Sequence, residues 1–141
     1  MKIKTLVAVL LLSGGVTSTF AQSDCNANSS ISHEAVRAKN FKDAYAPCME
    51  VLKDCPTLRY YTYTDAQKIL VGLMSQIKDR NSAEYKKLFD ELMAVHDQKM
   101  KYIPEFATKM KGVPSVASAL GTKAVDYLQY SPAPDLNQAY A

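Results

Sequence analysis

From Phe41 onward the apolar residues Phe41, Ala44, Tyr45, Cys48, Val51, Leu52 and Cys55 recur at helical offsets. That is one stripe of a 3.6-residue period, and it predicts an amphipathic helix. Asn40 is placed to cap its start, Asp43 sets a carboxylate against the positive helix end, and Pro56 forbids continuation. Pro47 lies inside, where a proline predicts a kink. Ahead of this stretch, Ala27, Ile31, Ala35 and Ala38 step at helical intervals and predict a weaker helix over residues 25–38. Only Lys39 and Asn40 separate the two, and so short a connection folds the pair into an antiparallel hairpin.

The same periodicity continues. Ala66, Ile69, Leu70, Leu73 and Ile77 predict a helix from about residue 60 or 64 to 78, with Thr64 and Gln67 as a capping box. Out of context, the run holding Tyr60, Tyr61 and Tyr63 also suits a strand. Asn81 and Glu84 mark the next start, and Tyr85, Leu88, Phe89, Leu92, Val95, His96 and Met100 form a long stripe expected to end near Pro104. Gly112 and Pro114 interrupt the chain before Val116, Leu120, Ala124, Tyr127 and Leu128 predict a further helix to about residue 129. Asp135 and Gln138 resemble one more helix start, but Ala141 follows within two turns of it. The pattern predicts an all-α chain of antiparallel hairpins.

Composition then sets the compartment. Residues 1–21 carry Lys2 and Lys4, an apolar run from Leu6 to Leu12 and small residues before Ala21, the layout of a secretory signal peptide with Thr19-Phe20-Ala21 as the cleavage signal and Gln22 as the first mature residue. The run is too short to span a membrane, and Cys25 lacks the small apolar residues that precede a lipidated cysteine. Residues 22–141 are thus read as one soluble domain. Removing Lys2 and Lys4 from seventeen basic residues leaves fifteen against fourteen acidic ones, a balance that gives no electrostatic reason to hold nucleic acid. The cluster Lys99, Lys101, Lys109 and Lys111 is interrupted by acidic residues and reads as a solvated helix face.

Three cysteines in an exported chain imply one disulfide and one thiol, with three pairings open. The hairpin chooses among them. It sets Cys25, at the start of the first helix, beside Cys55, at the end of the second, while Cys48 lies roughly 10 Å up the second helix. The predicted disulfide is Cys25 to Cys55.

The run Lys39-Asn40-Phe41-Lys42-Asp43-Ala44, with Val51 and Pro56, resembles the second half of a tetratricopeptide repeat (TPR), in which an aromatic, an alanine and a closing proline recur. Lys39 stands where that repeat usually has glycine, and Cys48 where it has an aromatic. The resemblance implies a short α-solenoid, its last repeat incomplete, as in the N-terminal part of a longer repeat protein. It also implies a non-enzymatic scaffold in the bacterial periplasm or cell envelope that binds a protein or peptide partner, with hetero-oligomers in view. Tyr60, Tyr63 and Gln67 are the candidate partner-binding residues. A structural subunit of an envelope assembly is the competing reading.

The chemistry-bearing residues are sparse. His33 and His96 are the two histidines, and a Cys48–His96 nucleophilic pair would need facing helices and a third orienting group. No zinc, haem or calcium spacing occurs, so no cofactor and no metal site is expected.

Overall fold

A computed structural model describes the backbone of residues 17–140 and the side chains of residues 24–140. Of the predicted signal segment, residues 1–16 lie outside the described residues, and 17–21 open the first helix. Five helices and no strand occur among the described residues: α1 (Thr17–Arg37), α2 (Phe41–Asp54), α3 (Tyr61–Met74), α4 (Ala83–Lys109) and α5 (Val116–Tyr130). Each packs on the next, and α1 also touches α3.

The α1–α2 hairpin forms as its sequence dictates. Asn40 caps α2 by accepting from the Asp43 amide, and the Cys55 amide closes the helix onto the Val51 carbonyl. At the end of α1, Asn40 N donates to Ala35 O and Lys39 N to Val36 O, with Lys39 at φ 57. That is a Schellman closure, whose left-handed residue is most comfortable as glycine. Cys25 and Cys55 are joined, their Cα atoms 6.3 Å apart. The bond closes a loop of 30 residues, worth roughly 3–4 kcal/mol in the chain-entropy picture.

Several boundaries differ from the sequence reading. α1 begins at Thr17 and inserts Cys25, Ser29, Ser32 and Val36, whereas Ile31 of the predicted alanine-rich stripe is 57% exposed. α3 starts at Tyr61, upstream of the Thr64–Gln67 box, and its N-cap makes no side-chain bond. Ser82, not Asn81, caps α4 by accepting from the Tyr85 amide. α4 also runs on through Pro104 to Lys109, because Ile103 and Phe106 are buried on either side of the proline. Packing there outweighs the lost hydrogen bond. Asp135 and Gln138 end up in a turn rather than a helix start, where Gln138 N donates to Asp135 O.

The core lies where α2, α3 and α4 meet. Cys48, Tyr63, Ile69, Leu70, Met74 and Leu92 are almost fully buried there. Phe41, on the partly covered margin, lays its ring directly over Gly72, leaving no room for a Cβ at that position. The helix-breaking glycine in α3 is therefore the contact that admits the aromatic from α2.

Candidate functional site along the α1–α3 seam

Burial of Tyr63, Ala66, Ile69 and Leu70 fixes the register of α3. Tyr61 and Asp65, one turn apart, consequently turn toward α1. Asp65 is buried and lies 2.7 Å from His33 Nδ1, while the imidazole itself is 38% exposed. A carboxylate only accepts, so Nδ1 carries the proton and Nε2 remains as the second nitrogen of a half-exposed ring. The His33 ring tilts against Tyr61 at a centroid separation of 4.7 Å. Arg59 lies over the same tyrosine and donates to its hydroxyl at 2.7 Å, to Asn26 Oδ1 at 3.2 Å and to Ser29 Oγ at 3.3 Å. Arginine, tyrosine and histidine are thereby held in fixed geometry at the surface.

A second polar cluster ties α3 to α4 and α5. Asp126 Oδ2 is 2.7 Å from His96 Nε2 and accepts from Gln67 Nε2 at 2.7 Å. Because the carboxylate accepts, His96 donates through Nε2, and its buried Nδ1 has no partner among the described residues. Lys99 is also buried here, and burial lowers its pKa although the Asp126 charge pulls it back up. Its place in the interior corrects the expectation of a solvated lysine face, which holds for Lys101, Lys109 and Lys111.

The candidate partner-binding residues are dispersed. Tyr63 is fully buried and donates to the Pro56 carbonyl at 2.9 Å, so its ring is a packing element. Gln67 is committed to Asp126. Tyr60 packs edge-on to Phe106 at 5.5 Å and lines a cleft of about 390 Å³ with Leu58, Tyr61, Lys109 and Met110. Tyr61, His33 and Arg59, none of them among the residues that the sequence analysis offers as partner-binding, form the aromatic and polar surface of the seam, with Tyr61 exposed and the other two half-buried. The spacing of residues 61 and 65 against the core residues 63, 66 and 70 was the available signal.

Cys48 and His96 are not brought into one site. The thiol lies against the Thr62 carbonyl at 3.7 Å and burial pushes its pKa up to about 11, while His96 is held by Asp126. A thiol so raised is almost entirely protonated at neutral pH and a poor nucleophile. No three His, Cys, Asp or Glu side chains among the described residues converge as metal ligands.

No family model matches the sequence, and no match was found among the curated proteins or the solved structures. What the fold defines is an all-helical protein of consecutively packed helices whose first hairpin is closed by a disulfide.

Proposed function

We propose that the protein is a non-enzymatic protein–protein interaction scaffold, a TPR-like stack of hairpins that receives a peptide or protein segment along the seam of α1 and α3. The observation that carries this reading is the contact between α1 and α3, helices that are not neighbours in the chain, with Arg59, Tyr61 and His33 immobilised at its surface. Stacked hairpins place their first helices side by side and offer that face to partners. Rigid arginine and tyrosine side chains are the ones that most often dominate binding energy.

The disulfide supports an oxidising compartment, in keeping with export to the periplasm or cell surface. Among the described residues no helix is long and apolar enough to cross a membrane. The alternative of an envelope-assembly subunit draws support from the exposed apolar side chains of α5.

The test is affinity capture from an envelope fraction with the wild-type chain and with a Tyr61→Ala, Arg59→Ala variant, after circular dichroism has shown equal helicity. The reading expects a discrete partner whose capture weakens roughly 30-fold or more in the variant, the loss typical of a hot spot. Equal capture by both chains rejects the seam as the binding face.

A further inference from the structure

Arg59 carries a positive charge that is oriented but not neutralised. Three of the five N–H groups of its guanidinium go to the neutral oxygens of Ser29, Asn26 and Tyr61, and among the described residues no carboxylate pairs with it. Its basic neighbours are answered: His33 by Asp65 at 2.7 Å and Lys109 by Glu105 at 2.5 Å.

Arg59 and Tyr61 belong to the seam and also line the cleft of about 390 Å³ between the start of α3 and the end of α4, whose apolar walls include Leu58, Tyr60, Phe106 and Met110. No acidic side chain is in that lining, and Arg59 and Lys109 are its charged groups. Tyr61 and Met110 stand at the surface, 37% and 45% exposed.

A guanidinium without a counter-ion, next to an apolar cleft without an acid, selects its ligand by charge. It favours a carboxylate, which accepts its N–H groups with charge assistance, and it repels a basic segment. One unanswered cation matches the single charge of a carboxylate, whereas phosphate recognition uses a cluster of arginines. Resting on the reading of the seam as the binding face, we infer that the segment received there carries an aspartate or glutamate side chain beside a large apolar one, the carboxylate on Arg59 and the apolar group in the cleft against Tyr60 and Phe106. Tyr61, shared by seam and cleft, joins the two halves of the site.

The test is selection of a phage-displayed library of random dodecapeptides on the immobilised full chain, followed by anisotropy titration of the enriched peptides carrying a fluorescein label. The peptides are expected to share an acidic residue next to Leu, Ile, Phe or Met, and replacing that acid by its amide should weaken binding roughly tenfold or more. Arg59→Gln, at unchanged helicity, should weaken binding by a similar factor and bind the acid and amide peptides alike, the coupling expected of a direct pair. Arg59→Lys should restore part of the preference for the acid. Enriched peptides that lose affinity in Tyr61→Ala but share no acidic residue overturn the inference and leave the seam as the binding face. Peptides that bind Tyr61→Ala and Arg59→Gln as well as the wild type overturn both, and so does a selection that enriches nothing.

Discussion

Lys99 shows how a single residue can stand against the fold that contains it. It lies on the buried face of α4, and burial depresses the pKa of its ammonium below the ordinary lysine value. A depressed folded-state pKa means that the charged form is less welcome in the native state than in the unfolded chain. At neutral pH the lysine therefore opposes folding. The opposition fades as pH rises through the depressed pKa and is gone above the unfolded value near 10.5. Lys99→Met keeps the length of the side chain and removes the charge. It is expected to raise the melting temperature at pH 7 by a few degrees, about what 1 kcal/mol is worth in a domain of this size. The gain should shrink toward zero as the melts are repeated up to pH 10.5. A lower melting temperature at pH 7 would mean that the attraction of Asp126 outweighs burial, and the assignment would fail.

At the level of the helices, the disulfide explains both what the sequence discloses and what it hides. The α1–α2 hairpin follows from a two-residue connection, an Asn40 cap and a closing Pro56, and the Cys25–Cys55 pairing follows from the hairpin. The inward face of α1 was nevertheless misread, because the alanines at 27, 35 and 38 and Ile31 look more hydrophobic than Ser29 and Ser32. Once Cys25 is tethered, positions one, two and three turns on must also face inward, and these are Ser29, Ser32 and Val36. The tether, not the side-chain hydropathy, sets the rotation of the helix. The extension of α4 beyond Pro104 was hidden for a related reason, since local propensity cannot register what Phe106 will pack against. The seam residues were missed because Tyr60, Tyr61 and Tyr63 are indistinguishable until the start of α3 is known to within one residue. It follows that α1, with two serines in its buried face, leans on the covalent bond. Replacing both cysteines, Cys25→Ser with Cys55→Ser, is expected to cost roughly 3–4 kcal/mol and lower the melting temperature by about 10 °C or more. Hydrogen exchange should show the loss first in the amides of α1. Uniform loosening of all five helices would instead show that the disulfide acts on the whole domain.

Across the whole molecule, stability should decline from the α2–α3–α4 centre toward α5. The last helix buries Ala119 and Ala124 but no large aliphatic side chain. Tyr127, against Phe89 at 5.9 Å, and Tyr130 pack on the margin of the core, and the other ties are polar: Asp126 to His96 and Gln67, Lys123 to Asp97, Tyr85 Oη to the Tyr130 carbonyl and Arg80 to the Gln129 carbonyl. Elements docked in this way open as local units below the global free energy of unfolding. Asp126 is the critical tie, because its removal leaves the buried His96 Nε2 and the half-buried Gln67 amide without their acceptor. Each such loss costs about 1–3 kcal/mol. Asp126→Ala is thus expected to speed amide exchange in α5 by roughly 100-fold, the equivalent of about 2.8 kcal/mol, with the amides of α2 and α3 nearly unaffected. If exchange instead rises in α2 and α3 to the same degree, α5 is not a separable unit and the polar cluster is part of one cooperative core. Protection confined to the centre would show that α5 is held to α4 mainly by its polar ties, with little help from apolar packing.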